Sequence, residues 1–129
     1  MKIASVNELK TELSNLSAAE LVEIGVRLIK YKKDNKELLN YLLFQSHDEQ
    51  AYINLVKNEL AEAFTEVNRS NLYYAKKTIR KILRIANKYI KHTGSKQVEI
   101  ELLLHFCTVL KDSGIRIEKN TALNNLYHS

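Results

Sequence analysis

Glu101 and His105 are the two side chains in this sequence best spaced for acid–base chemistry. They lie four residues apart in an apolar segment that predicts a helix, so they would share one face as a general base and the residue that orients it. Neither a nucleophile nor an oxyanion donor accompanies them, and the chain has no phosphate-binding glycine loop. We therefore interpret the pair as an exposed contact on a helix surface, and we predict that the protein is not an enzyme.

A metal site is the second chemistry that this segment suggests, because His105-Phe106-Cys107 contains two types of ligand. Positions i and i+2 of a helix point about 200° apart, so these two side chains cannot bind one ion. Cys107 is the one cysteine of the chain, which excludes a disulfide framework, and it faces the apolar side of the predicted helix. We expect neither a metal nor another cofactor.

The net charge of +5 comes from one segment, residues 69–96, which contains nine Lys and Arg and neither Asp nor Glu. On a helix with about 100° per residue, six of these bases and one tyrosine lie opposite the apolar residues. They form a continuous row that we call the basic ridge: Tyr73, Lys77, Arg80, Lys81, Arg84, Lys88 and Lys91. The basic ridge is the candidate binding site of the sequence.

Like charges four residues apart destabilise a helix by roughly a few tenths of a kcal/mol per pair, so the basic ridge calls for compensation. Compensation could come from the phosphates of a nucleic acid, onto whose bases Tyr73 could also stack. It could also come from within the chain, where Glu59, Glu62 and Glu66 lie along one flank of the preceding helix. Because charge runs are usually solvated or internally complemented, we favour the internal source.

Two functional hypotheses follow. The first is a small non-catalytic helical module that mediates protein–protein interaction or self-association. The alternative is sequence-nonspecific nucleic-acid binding through the basic ridge, since the sequence contains no base-reading motif.

Helix-start signals and apolar spacing predict an all-α protein. Capping-box sequences begin at Ser5, Ser17, Asp34 and Ser46. Two further serines, Ser70 and Ser95, are plain N-cap candidates. Gly94 and Gly114 are suited to end helices. The predicted helices are a short one from Val6, then helices near 18–32, 35–46, 48–67, 71–92, 96–112 and 120–127.

Joints of about two residues, at Asn68–Arg69 and Thr93–Gly94, predict that neighbouring helices run antiparallel. We expect antiparallel helical hairpins in a compact bundle of about six or seven helices, within a single domain of residues 1–129. A short α-solenoid is the alternative.

Two features inside the helices suggest packing contacts. The helix near 96–112 is apolar over most of its circumference, so we expect it to be the central element of the core. Gly25 lies in mid-helix, where it is either tolerated or permits the close approach of a neighbouring helix.

The composition fits one ordinary domain, with 129 residues of which 45% are hydrophobic. Glu8 and Glu12 interrupt the N-terminal segment before the apolar core of a secretory signal could form. The longest strongly apolar run, Leu102–Leu104, is far shorter than the ~20 residues of a membrane span. We expect a cytoplasmic protein without a membrane partner.

The order of these elements resembles a family of short, uncharacterised, all-helical bacterial proteins. The likeness rests on the leucine-rich opening, residues 7–13 and 17–21, and on the basic segment from Ala75 that leads into the apolar Leu102–Leu104. The resemblance implies an all-helical fold and nothing about site residues.

Overall fold

The computed structural model describes residues 1–114, and the helix predicted near 120–127 lies outside these residues. The described residues form six α-helices and no β-strand, which confirms the all-α class. The helices are α1 (Val6–Ser14), α2 (Ala18–Tyr31), α3 (Lys33–Asn40), α4 (Glu49–Phe64), α5 (Leu72–Thr93) and α6 (Lys96–Asp112), with a π-helical turn at Tyr41–Gln45.

The chain divides into two compact units, and each is described by itself. The first unit, residues 1–40, contains α1, α2 and α3. The described part of the second unit, residues 41–114, contains the π-helical turn and α4, α5 and α6. The expectation of a single domain stays a prediction.

The first two helices begin at the serines that the sequence indicated. The hydroxyl oxygens of Ser5 and Ser17 accept hydrogen bonds from the amides of Glu8 and Glu20, both at 3.2 Å. Glu20 also accepts a hydrogen bond from the Ser17 amide at 3.0 Å, which completes a capping box. Hydrogen bonds from the backbone and hydroxyl of Ser17 lower the pKa of Glu20.

Other helix starts differ from the prediction by a residue or more. Asp48, rather than Ser46, caps α4, and Asn71, rather than Ser70, caps α5. Asp48 and Asn71 both have short side chains, and the side-chain oxygen of each accepts a hydrogen bond from the amide three residues later in the chain, at 3.0 and 3.2 Å. The third helix begins at Lys33, ahead of the predicted start at 35.

The predicted two-residue joint at Asn68–Arg69 is wrong, because α4 ends at Phe64 instead of 67. The amides of residues 65–67 each bond to a carbonyl three residues back, so the chain leaves α4 through tighter turns. Val67 is still buried, which explains why the apolar pattern continues to that residue. The α5–α6 connection, in contrast, is the expected short joint, and there Gly94 takes a left-handed φ of 63°.

The π-helical turn interrupts what the sequence predicts as a continuous helix over 35–46. It closes with a hydrogen bond of 2.8 Å from the Ser46 amide to the Tyr41 carbonyl, a five-residue step. Tyr41 is buried, and its ring centroid lies 4.6 Å from that of Tyr52 on α4. The turn therefore anchors the chain to α4 by an aromatic contact.

The core of the second unit lies between α4, α5 and α6, each of which contacts the other two. Such mutual contact is the packing expected of a compact helical bundle. The most deeply buried large side chains come from all three helices: Ile53, Leu60, Ile79, Val98, Leu102, Phe106 and Leu110.

Helix α6 buries one face instead of being surrounded as the sequence suggested. Its buried residues recur every four positions: Val98, Leu102, Phe106 and Leu110. Ile100 and Leu104 point away from that face and are 54% and 63% exposed. Helix α6 supplies four of the seven most deeply buried large side chains, as expected of the central element of the core, but its apolar residues on this side are exposed because α4 and α5 both pack on the other.

The first unit contains three helices but no core of buried side chains. None of its residues is buried. Within it α2 packs against α3, and the Asn35 side-chain amide donates to the Leu28 carbonyl at 2.8 Å. A Cβ on Gly25 would meet nothing within 4 Å, so this glycine is tolerated and does not mark a close helix contact.

Candidate functional site

The basic ridge lies on α5, the longest helix of the described residues. The inward face of α5 is apolar, with Ala75, Ile79, Ile82, Ala86 and Ile90 buried at spacings of three and four. These residues fix the rotation of α5 about its axis, because turning the helix would bring apolar side chains into water. The charged residues are therefore held on the opposite side.

The structure places the ridge residues on one exposed strip of α5. Tyr73, Lys77, Arg80, Lys81, Arg84 and Lys91 are exposed. At 1.5 Å per residue, the span from Tyr73 to Lys91 is about 27 Å long. One or two cations lie on each turn of the helix after the first.

Lys88 differs from the other ridge residues because it is half-buried. Its ammonium nitrogen lies 4.9 Å from the centroid of the Tyr89 ring, in a cation–π contact. The Lys88 ammonium group therefore lies against a neighbouring side chain of α5, unlike the exposed bases of the ridge.

Glu59, Glu62 and Glu66 form no ion pair with the exposed bases of the basic ridge. Glu59 accepts hydrogen bonds of 2.8 Å on both carboxylate oxygens from the Tyr89 hydroxyl. Glu62 and Glu66 are exposed, and neither forms an ion pair with a base among residues 1–114. The internal source of compensation favoured by the sequence analysis is therefore not found in the described part of the chain.

The exposed bases of the ridge have no acidic partner among the residues that the structure describes. The ion pairs of that part of the chain involve Lys33, Lys57 and Lys96, none of which belongs to the ridge. The like-charge pairs Lys77/Lys81 and Arg80/Arg84 thus keep their unfavourable energy, which exposure to solvent and salt reduces but does not reverse. The ridge is an open strip of positive charge.

Glu101 and His105, the candidate acid–base pair, lie at the contact between α6 and α4. A Glu101 carboxylate oxygen lies 3.9 Å from the Lys57 ammonium and the other accepts from Gln97 at 3.1 Å. The Nε2 of His105 lies 3.2 Å from the Lys57 carbonyl oxygen, which makes this nitrogen the donor. Burial lowers the pKa of His105, against the opposing effect of this hydrogen bond.

These contacts correct the expectation of an exposed pair. Both residues are partly buried and bind Lys57 instead of each other. Their geometry is that of a polar seam that joins two helices.

An open cleft of about 210 Å³ lies elsewhere, lined by residues of α4 and α6 and by the segment after α4. Its lining is mostly apolar, with Arg69 and Asp112 as the charged residues, and it includes neither Glu101 nor His105. The cleft and the polar seam are therefore separate.

Cys107 is partly buried against the core, and burial raises the pKa of its thiol. A raised pKa keeps the thiol protonated and unreactive. Within residues 1–114 no three His, Cys, Asp or Glu side chains come close enough together to hold a metal ion.

One part of the site escaped the sequence analysis. Tyr74, next to Tyr73 at the start of α5, is 54% exposed, and the centroids of the two rings are 5.3 Å apart with their planes at 76°. Two consecutive tyrosines before a run of bases could have indicated this aromatic pair. Helical periodicity alone does not include Tyr74, because it places this residue off the centre of the ridge.

Comparisons of the chain with protein-family models, with curated proteins and with solved structures find no match. The resemblance to short all-helical bacterial proteins therefore stays a prediction. None of the described helices combines the length and the apolar character needed to cross a bilayer.

Proposed function

We propose that the protein is a non-catalytic module that binds nucleic acid without sequence specificity through the basic ridge of α5. The observation that carries the proposal is that five ridge bases, Lys77, Arg80, Lys81, Arg84 and Lys91, are exposed and unpaired with any described acid. An internally complemented ridge would have left no cations for phosphates. In this proposal the protein acts in the cytoplasm.

Electrostatics explains how such a ridge would bind. Each phosphate that a Lys or Arg neutralises releases condensed counterions, which is the main source of nonspecific affinity. No Asp or Glu occurs in residues 69–96, so α5 itself contributes no carboxylate that would repel the phosphates along the ridge. The ridge is a row of long flexible side chains on one helix, which suits backbone contacts rather than the reading of base edges.

The test measures affinity for duplex DNA against salt concentration by fluorescence anisotropy. Five phosphate contacts predict a slope of log K against log salt of about −4.5 for duplex DNA, and a loss of affinity of roughly several hundredfold between about 50 and 200 mM salt. The absence of binding at low salt to both duplex and single-stranded DNA would overturn the proposal.

Charge reversal locates the contacts. The double variant Arg80→Glu and Arg84→Glu removes two ridge cations, so we expect weaker binding and a slope that is shallower by about two. The matched control is Lys2→Glu with Lys10→Glu, two exposed bases of the first unit that change the net charge by the same amount. Equal losses in both variants would show that net charge, and not the ridge, determines binding.

Self-association is a second candidate function, and one observation favours it. The apolar residues of α2 are exposed or half-buried on most sides of the helix, with Leu21, Ile24 and Leu28 at 41%, 39% and 55% exposure. Exposed apolar surface of this kind marks interaction sites. Residues 1–40 contain seven Lys and Arg against six Asp and Glu, so two copies of this unit would not repel each other electrostatically.

The occupant in this second candidate is another copy of the chain, paired through α2. Sedimentation equilibrium should then show a dimer that Leu28→Glu weakens, while the neighbouring polar substitution Arg27→Glu leaves it intact. A monomer at all concentrations would refute self-association without affecting the proposal for the ridge.

A further inference from the structure

The basic ridge ends in a pair of exposed aromatic rings. Tyr73 is 70% exposed and Tyr74 is 54% exposed, both in the first turn of α5. Leu72, just before them, is 50% exposed. Three consecutive large apolar side chains thus face solvent at the end of a helix whose other apolar residues are mostly buried.

The fold does not explain these rings. The two tyrosines contact each other edge to face, and neither hydroxyl hydrogen-bonds to a described residue. The start of α5 is set by Asn71, whose side chain accepts from the Tyr74 amide at 3.2 Å, so the cap uses the Tyr74 backbone and not its ring. Other tyrosines of the second unit, such as Tyr41 and Tyr52, lie in the core.

We infer, on the basis of the proposed function, that the ridge and this aromatic pair together bind single-stranded nucleic acid in preference to duplex. The cations from Lys77 to Lys91 would follow the phosphates of one strand, and Tyr73, which lies in line with them, would stack on an unpaired base. Aromatic rings next to a basic groove are the usual components of single-strand binding sites.

The preference follows from which base surfaces are free. In the interior of a duplex each base is covered above and below by its neighbours, so an aromatic side chain has no base face to contact there without unstacking the helix. In a single strand the faces are available, and every base has one, so stacking adds affinity without sequence specificity. The perpendicular ring planes mean that Tyr73 and Tyr74 cannot stack on the same base, since only one ring can be parallel to it.

The experiment compares Tyr73→Ala with the wild type on a single-stranded oligonucleotide of about 12 nucleotides and on the matching duplex, at low salt. The loss of one stacked base predicts weaker single-strand binding by about 5- to 150-fold, with duplex binding unchanged. Tyr73→Phe keeps the ring and should bind like the wild type. Tyr31→Ala is the matched control, because Tyr31 is an exposed tyrosine of α2, away from the ridge.

The possible results separate this inference from the proposed function. Equal wild-type affinity for both oligonucleotides, unaffected by Tyr73→Ala, would overturn the single-strand inference and leave ridge binding in place. An absence of binding to either oligonucleotide would overturn both. Binding to anionic phospholipid vesicles in place of oligonucleotides would also overturn both, because it would assign the ridge to a membrane surface.

Discussion

Reversing the charge of Arg84 should stabilise the protein. Arg84 is exposed near the middle of α5, four residues from Arg80 on one side and from Lys88 on the other. Because Lys81 also lies three residues before Arg84, Arg84→Glu removes three like-charge pairs and creates three opposite-charge pairs. Each such pair contributes about 0.2–0.5 kcal/mol, so the six changes together raise the free energy of unfolding by about 1–3 kcal/mol. Glu and Arg have similar helix propensities, so the change in charge is the dominant effect.

The assay is urea unfolding followed by the near-UV circular dichroism of tyrosine. This signal reports the packed rings of the second unit, where Tyr52 lies 4.6 Å from Tyr41 and 6.3 Å from Tyr89 between ring centroids. The gain in stability should shrink as salt is added, because the pairs are exposed and screened. The slope of the unfolding free energy against urea should not change, since the substitution alters no buried surface.

A second charge reversal, Lys57→Glu, should change the free energy of unfolding in the opposite direction and serves as the control. Lys57→Glu removes the ion pair with Glu101 and places two carboxylates together in the polar seam, so it should destabilise the protein. Destabilisation by Arg84→Glu of the same size as that of Lys57→Glu would refute the reasoning. Such a result would mean that acidic groups already neutralise the ridge, leaving it unavailable to phosphates.

The expected gain also bears on function. A residue whose replacement stabilises the fold while removing a ligand contact is typical of a binding site, where stability is lost in favour of function. If Arg84→Glu both raises the free energy of unfolding and weakens binding, the two measurements together assign the unfavourable like charges to ligand recognition.

Three further predictions concern packing and titration. Leu102→Ala should lower the free energy of unfolding by about 2–5 kcal/mol, whereas the same change at exposed Leu104 should cost less than about 1 kcal/mol; equal losses in urea melts would contradict the assigned rotation of α6. Gly25→Ala should stabilise α2 by about 1 kcal/mol, seen as greater resistance to thermal loss of helical circular dichroism, because nothing opposes the new methyl group. The lowered pKa of His105 means that its neutral form stabilises the fold fully above the unfolded pKa of 6.5 and that this contribution is lost as pH falls through the folded value. Unfolding free energies between about pH 7 and 5 should show this decline, and His105→Gln, which can still donate to the Lys57 carbonyl, should remove its part of it.

The sequence was sufficient for the helices of the second unit because their signals are local. The apolar positions of α5, from Ala75 to Ile90, determine one face by period alone, and the opposite face must then be charged. Helix ends were less well determined. Where two neighbouring residues can cap, as with Ser70 and Asn71, the choice depends on the path of the preceding loop, which in this case uses the Ser70 side chain and amide to bond Asn68.

Other features depend on contacts between residues distant in sequence. The sequence placed Glu59 on a flank that could have faced the bases of α5, but its carboxylate binds the Tyr89 hydroxyl. His105 and Glu101 lie one helical turn apart, as their spacing predicts, but nothing in the sequence indicates that Lys57 lies against both. Such pairings depend on the rotation and offset of two packed helices, which periodicity within one helix does not define.

The amino-acid sequence by itself determined that this chain is helical and that α5 has an apolar side and a cationic side, because both follow from residue type and a 3.6-residue period. The tertiary structure decided whether those cations are covered. Coverage depends on where the carboxylates of α4 come to lie after packing, and the carboxylate of Glu59 comes to lie against the Tyr89 hydroxyl.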